Sequence, residues 1–402
     1  MLNVNVLMYF VKNMCAHTYC VINKNTYFCK NVCAHTIKFF LQKMKKDNSN
    51  IRIVDIAKLA GVSTGTVDRV LHNRGRVSEE KRIKVEAILK EINYEPNLVA
   101  RFLASKRSYK FAVIAPTYSE GDYWELVCDG INRAGDEMRK FNISVEYFHF
   151  NQYDRFSFLK AADKFKEKDF DGVLLATLFG ELVVNLSKEL DEKGIPYIYI
   201  DSDIQKQKDL AYFGGDSLGS GNIAAKLLLK EIGLDADIFI AHVRFKYKEI
   251  SVQMKTREQG FMKCLSQSDY KGKIHHVEID PDNHPAGLEK LEDILSQSDT
   301  LVGGIVLNSR IYELIALLEK AKPALRERVR LVGHDAIERN IRALKNGQIS
   351  FILSQRPELQ GYDAIKALAN YFLFKQEPEK TNFMPIDILI KENVDYYNNY
   401  KL

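Results

Sequence analysis

Residues 53–71 read Ile-Val-Asp-Ile-Ala-Lys-Leu-Ala-Gly-Val-Ser-Thr-Gly-Thr-Val-Asp-Arg-Val-Leu. Val54, Ala57 and Leu59-Ala60 predict the apolar face of a short helix from Ile53 to Ala60. Gly61-Val62 supplies a tight turn. Ser63 is a natural N-cap, because its hydroxyl can accept an early helix N–H. A second helix then runs from Thr64 to Leu71 with Val67, Val70 and Leu71 inward. Two short helices joined this way form a helix–turn–helix, whose second helix suits the major groove of DNA. Moving outward, Ser78 caps a third helix, and Glu79 and Glu80 complement the positive end of its dipole. Ile83, Ala87, Ile88 and Ile92 are its expected buried face. Tyr94-Glu95-Pro96-Asn97 ends it, and Asn97 can cap one more short helix, Leu98 to Ser105.

The charge distribution agrees with a nucleic-acid partner. The chain has 402 residues and a net charge of +5. Residues 1–48 carry +6 and 49–108 carry +5, whereas 109–402 carry −6. A basic head on an acidic body is the electrostatic pattern of a DNA-binding segment attached to something else. Apolar content of 46% and charged content of 28% are ordinary for a globular protein. The sequence contains no run of about 18 apolar residues, so a membrane is not an expected partner. Four of the six cysteines fall at 15, 20, 29 and 33; the others are Cys128 and Cys264. The body therefore lacks the density of a disulfide scaffold, which suits a reducing cytoplasm.

Residues 1–48 form an atypical extension. They contain no Arg or Gly, and Lys-Asn-x-Cys-Ala-His-Thr occurs at 12–18 and again at 30–36. One reading is a start assigned too early, with Met44-Lys45-Lys46 as the natural beginning and 1–48 disordered or untranslated. The other is a metal or redox site built from Cys15, His17, Cys20, Cys29, Cys33 and His35. Zinc accepts those ligand types, but the spacing fits no standard finger, and no metal or cofactor is assigned.

Beyond residue 108, short apolar runs alternate with amphipathic stretches. Strands are expected at 111–115, 143–148, 172–176, 196–200, 236–243, 273–279, 303–307, 329–333 and 350–354. This rhythm predicts parallel, doubly wound sheets in two similar lobes. Ligands in such sheets sit beyond the carboxyl ends of the strands. Gly214-Gly215-Asp216-Ser217-Leu218-Gly219-Ser220-Gly221 superficially suggests a phosphate loop, but it lacks Gly-Lys-Ser/Thr and fits a lobe crossover better. His-Glu-x-x-His and Gly-x-Ser-x-Gly are absent, so no enzyme is expected. His275-His276 has no partner that the sequence reveals.

Residues 53–106 resemble the headpiece of LacI-type regulators. Val54-Asp55-Ile56-Ala57, Ala60-Gly61-Val62-Ser63, Thr66-Val67, Arg69-Val70-Leu71, Val77-Ser78 and Asn93-Tyr94-x-Pro96-Asn97 carry the resemblance, and Ala100 and Leu103-Ala104 continue it. It implies that Thr64, Gly65 and Arg69 read bases, Arg69 by a bidentate bond to guanine. Ser63, Thr66, Asn73, Arg76 and Ser78 are implied phosphate contacts. Leu103 matches the hinge-helix leucine that wedges into the minor groove, and Ala100 the small residue beside it. Thr64-Gly65 is a small pair where many members carry larger reading side chains. Asp68 stands where Ser is usual; it either aims Arg69 or Arg74, or is a solvated or capping residue.

The body, 109–402, resembles the periplasmic sugar-binding fold that serves as the sensor of that family. The resemblance implies effector contacts by Trp124, Asp201, Arg257, Asn308, Asp335 and Gln355, with Tyr118, Asp122 and Phe213 as weaker candidates. Carboxylates, an amide and a guanidinium can pair with vicinal hydroxyls while an aromatic face covers a sugar's C–H surface. The expected fold is therefore α/β: an all-α headpiece at 49–96, a hinge at 97–108 and two doubly wound lobes. One lobe takes about 109–213 and 355–385, the other about 214–354 and 386–402. The resemblance further implies a repressor-type homodimer on operator DNA, with affinity set by a small effector, most naturally a neutral sugar. The C-terminal segment 396–402 has no leucine heptad, so no tetramerising coil is expected. A sugar or purine sensor acting through a protein partner is the alternative.

Overall fold

The computed structural model describes residues 52–71, 74–92, 94, 107–243, 251–281 and 283–400. The chain divides into two compact units, with residues 52–94 in the first and 107–400 in the second.

In the first unit, α1 (Ile53–Ala60) opens where Asp55 Oδ2 accepts a hydrogen bond from the Arg52 backbone N–H at 3.1 Å. It closes at Gly61, whose φ of 63° is left-handed, and Val62 N–H then reaches the Ala57 carbonyl at 3.0 Å. Glycine adopts that conformation without steric cost, which makes it the natural stop. Ser63 Oγ accepts from Thr66 N–H at 3.2 Å and so starts α2 (Thr64–Leu71). Ser78 stands at the N-cap of α3 (Glu79–Glu91), but its side chain makes no capping bond. Ile56, Ala57, Ala60, Val67, Val70 and Val85 form the buried core of the unit.

The faces of α1 and α3 match the expected ones in part: Ala57, Ala60, Ile88 and Ile92 lie inward, but other expected positions do not. Val54 and Leu59 are 48% and 63% exposed, and Ile83 is 57% exposed; Ala87 is exposed too. Ile83 and Ala87 each lie two positions from the buried Val85, about 200° round the helix axis. The inner face of α3 adds Val85 and Leu89 to the expected Ile88 and Ile92, the i, i+3, i+4, i+7 stripe.

The second unit contains two six-stranded sheets. The first is built from β1 (Tyr109–Pro116), β2 (Ile143–Phe150), β3 (Gly172–Ala176), β4 (Tyr197–Ile200) and β5 (Ala211–Gly215). The second is built from β6 (Ile238–Val243), β7 (Ile274–Ile279), β8 (Val302–Val306), β9 (Val329–His334) and β10 (Phe351–Ser354). Each takes a last strand from near the C-terminus: β11 (Thr381–Met384) joins the first and β12 (Asp387–Leu389) the second. The orders are β2-β1-β3-β4-β5-β11 and β7-β6-β8-β9-β10-β12, the same winding twice. All pairings are parallel except β10 with β12. β3, β4, β6 and β8 are buried throughout, as parallel strands covered on both faces must be.

Helices α4 (Tyr123–Met138), α5 (Arg155–Lys166), α6 (Gly180–Lys193) and α13 (Pro357–Phe374) accompany the first sheet. Helices α7 (Ser217–Ile232), α8 (Val252–Ser266), α9 (His284–Ser296), α10 (Ile311–Leu318), α11 (Pro323–Arg326) and α12 (Glu338–Lys345) accompany the second. None of the described helices is long and apolar enough to cross a membrane.

Candidate functional site

The exposed side of α2 carries the candidate base-reading residues. Val67 and Val70 point into the core, while Ser63, Thr64, Gly65, Asp68 and Arg69 are exposed and Thr66 is half-buried. The Arg69 side chain lies across two glycines. A Cβ added at Gly65 would stand 3.6 Å from its terminal nitrogen, and one at Gly75 would stand 3.4 Å from its Cδ. Thr64-Gly65 therefore leaves the arginine room to project. Arg76 and Ser78 are exposed beyond it. Asn73, Ala100 and Leu103, together with most of the hinge and all of 1–48, lie outside the described residues.

The second candidate site lies beyond the carboxyl ends of both sheets in the body. Two equivalent turns dominate it. Asp201 follows β4 directly and Asp335 follows β9 directly, each the fourth strand in the chain order of its sheet. Both adopt left-handed backbone, with φ of 82° and 66°, a conformation that side chains other than glycine reach only when their surroundings hold them there. Around Asp201 the hold comes from Thr177 and Tyr212. Thr177 Oγ1 donates to the Ile200 and Ser202 carbonyls at 2.9 and 2.7 Å, and the Tyr212 hydroxyl donates to the Asp201 carbonyl at 3.2 Å. Around Asp335, Asn340 Nδ2 donates to the carbonyls of Ser309, His334 and Asp335 at 2.9, 3.1 and 3.0 Å.

Both carboxylates are buried, at 5% and 3% exposure. Burial pushes the Asp201 carboxyl up to about 6 against the pull of Arg257, Ser202 and Gln253. Burial raises Asp335 as well, opposed by Arg257 and Gln355. Asp201 Oδ1 accepts from Gln253 Nε2 at 3.0 Å and its Oδ2 from Ser202 Oγ at 3.1 Å. Asp335 Oδ1 accepts from Gln355 Nε2 at 3.1 Å. Arg257 is 2% exposed; its Nη1 donates to the Leu307 carbonyl at 2.9 Å, and its Nε has no hydrogen-bond partner. Burial and the same guanidinium hold His334 well below the usual imidazole range, so the histidine stays neutral between Val306 and Ser220.

These turns border a cavity of about 60 Å³. One water needs roughly 10–15 Å³, so the space suits a compact polar molecule. Tyr123, Trp124, Gln152, Leu178, Phe179 and Asp201 line it from the first sheet's side. Ser251, Gln253, Met254, Asn308, Ser309, Arg310 and Asp335 line it from the second's. Trp124 meets Tyr123 edge-on, with ring centroids 5.5 Å apart.

Of the residues expected here, Trp124, Asp201, Asn308 and Asp335 line the cavity. Arg257 and Gln355 stand behind it, bonded to or facing the carboxylates that do. Tyr118 and Phe213 do not line this cavity. Tyr118 is 38% exposed and sits edge-on to His149, whereas Phe213 on β5 packs inside the core of the first sheet. Asp122 accepts from Ser119 N–H at 3.0 Å and serves a turn. Tyr123, Gln253 and Arg310 were missed. Gln253 had a signal, because it precedes Arg257 by four residues on one helix and so shares its face.

The comparisons with known proteins bear on both units. Residues 52–97 match the model of bacterial regulatory proteins of the lacI family, and residues 111–376 match the periplasmic binding protein domain. A crystal structure assigned to a LacI transcriptional regulator from Bacteroides fragilis is 35% identical, with a TM-score of 0.67. The match covers 73% of this chain and all of that one. The chain belongs to the LacI family of bacterial regulatory proteins. Among its relatives, the ribose operon repressor of Halalkalibacterium halodurans is 28% identical over 292 residues, spanning 71% of this chain and 80% of that protein. The regulator DegA of Bacillus subtilis is 34% identical over 154 residues, but that match spans only 38% of this chain and 44% of DegA. For this LacI-family chain, the helix–turn–helix and the two-lobed sensor are thus both accounted for by family as well as by fold.

Proposed function

We propose that this LacI-family protein is a sequence-specific repressor whose affinity for operator DNA is set by a neutral sugar held between the two sensor lobes. The observation that carries the reading is the pair of buried carboxylates, Asp201 and Asp335, on equivalent turns of the two lobes at one cavity. Two carboxylates face one buried guanidinium, Arg257, and a second, Arg310, lines the cavity wall, so the charges balance when both carboxylates are ionised. A charge-balanced site suits an uncharged ligand, and its carboxylate oxygens accept hydrogen bonds from the hydroxyls of a neutral sugar. Trp124 and Tyr123 supply the apolar wall that a sugar's C–H face needs. The relatives named as ribose and sucrose operon repressors support the same effector class.

In this reading the headpiece at 49–96 contacts DNA through Ser63, Thr64, Gly65, Thr66, Arg69, Asn73, Arg76 and Ser78. The hinge at 97–108 adds Ala100 and Leu103. The protein acts in the cytoplasm as a homodimer, since a two-fold assembly matches a pseudo-palindromic operator. The sugar binds one closure of the lobes better than another, and that difference reaches the headpieces.

The test is a thermal-shift screen of the full chain against neutral sugars, sugar phosphates, sugar acids and purines. A ligand that binds only the folded state raises the melting temperature. The expected result is a shift with a neutral pentose or hexose, and altered operator binding when that sugar is present. Shifts confined to phosphates, acids or purines would overturn the effector class.

A further inference from the structure

The adjacent histidines His275 and His276 find separate partners in the fold. His275 Nε2 lies 2.9 Å from Asp237 Oδ2. His276 points to the opposite face of β7, as alternation along a strand requires. In the parallel register of β6 with β7, Ile240 stands opposite His276 and His242 opposite Glu278. His242 and His276 therefore share one face of the sheet. Glu258 reaches that face from α8.

The three side chains converge. His242 Nε2 is 3.3 Å from His276 Nδ1, and their rings lie within 12° of parallel. Glu258 brings Oε2 to 3.7 Å from His242 Nε2 and Oε1 to 3.8 Å from His276 Nδ1. All three ligand atoms lie within 4.8 Å of one another. Ligands held 2.0–2.1 Å from one tetrahedral ion are about 3.3–3.4 Å apart, so the two histidine nitrogens already stand at that separation and Glu258 presents one carboxylate oxygen to each of them at a slightly greater distance. Side-chain exposure rises from 6% at His242 through 25% at Glu258 to 51% at His276. The group is thus rooted in the sheet and open to solvent on one side.

We propose that His242, Glu258 and His276 bind one divalent ion of the zinc type, with water completing its shell. Two imidazoles and a carboxylate are ligands that zinc accepts, and three protein ligands with one open position form a common arrangement for it. The bound ion ties β6, β7 and α8 together. Glu258 directly follows Arg257, so the ion also fixes the turn of α8 that stands behind the sensor cavity.

The test is equilibrium dialysis of Zn²⁺ against the full chain, stripped first with a chelator, compared with His276→Ala and Glu258→Gln. Both altered side chains are at least partly exposed, and thermal melts check that each variant folds. The wild-type protein is expected to bind one equivalent that both variants hold at least about 10–100-fold more weakly, the loss known even for partners just outside a ligand shell. Substituted Co²⁺ at that equivalent should show no thiolate charge transfer, which separates it from the N-terminal cysteines. Equal zinc binding by wild type and both variants would overturn the proposal. So would an ion that depends on these residues yet carries a thiolate spectrum.

Discussion

Asp201 concentrates the conflict between stability and function in one residue. Its folded-state value, raised to about 6, exceeds that of an unfolded aspartate, near 3.9. The stabilisation linked to its protonated form is therefore complete below about pH 4 and is lost as pH rises through 6. Asp201→Asn should remove this cost at pH 7, because Asp335 remains to neutralise Arg257. The sugar-free variant is expected to be more stable than wild type by about 1–3 kcal/mol at pH 7, with the gap closing by pH 4. Its response to sugar should vanish. Denaturant titrations at both pH values check this, and a variant less stable at pH 7 would refute the desolvation argument. Arg69 makes the matching case in the headpiece. Arg69→Ala should cost about 1–3 kcal/mol against the preferred operator and little against random duplex, as competition gel shifts would reveal. Besides Trp124, the readable lining residues were those at or just past a strand end: Asp201, Asn308 and Asp335 stand where an α/β sheet presents its ligand. Arg257 and Gln355 were legible as part of the site, but not as a layer behind the wall. Tyr123, beside the expected Trp124, stayed hidden because both residues read equally well as core.

At the scale of elements, reciprocal glycines set the spacing of two helix pairs. A Cβ at Gly130 on α4 would stand 1.9 Å from the Glu358 carbonyl oxygen on α13, and one at Gly361 on α13 would stand 2.2 Å from that of Val127 on α4. In the other lobe, a Cβ at Gly221 on α7 would stand 1.9 Å from the Arg257 carbonyl oxygen and one at Gly260 on α8 would stand 2.0 Å from that of Leu218. Backbone cannot give way as a flexible side chain can. Gly221→Ala should therefore destabilise the sensor by about 1–3 kcal/mol or more. It should also weaken sugar binding beyond what Gly130→Ala does, since it displaces the turn of α8 bearing Arg257. Calorimetric sugar titration of the two variants decides the point, and equal losses would contradict it. Two further glycines, Gly214 and Gly215, explain one element that sequence reading missed. β5 runs Ala-Tyr-Phe-Gly-Gly, and its glycines make room for the Tyr212 hydroxyl and the Gln355 amide, so the strand lacks the apolar run that marked β1, β3 and β6. β11 and β12 have four and three residues and lie at sheet edges, too short to show a period. In α3 the reading held at Ile88 and Ile92 but included Ile83 and Ala87, which are apolar yet lie off the stripe through Val85 that faces the core.

For the whole molecule, the proposed repressor is a linkage between a sugar and a DNA site. If sugar changes operator affinity by some factor, operator must change sugar affinity by the same factor. A coupling of 1–3 kcal/mol, about 5–150-fold, is the usual range. The two measurements are independent: sugar affinity by calorimetry with and without saturating operator, and operator affinity by fluorescence anisotropy with and without saturating sugar. Equal factors are expected. Asp335→Ala then separates the two ends of the linkage. The substitution removes a carboxylate at the cavity, on a turn whose backbone Asn340 continues to hold, and it leaves α2 and its arginine untouched. Operator affinity without sugar should stay within about twofold of wild type, a change of only about 0.4 kcal/mol, while added sugar should no longer alter it. A variant that lost operator binding and sugar response together would place Asp335 in the scaffold rather than in the effector site.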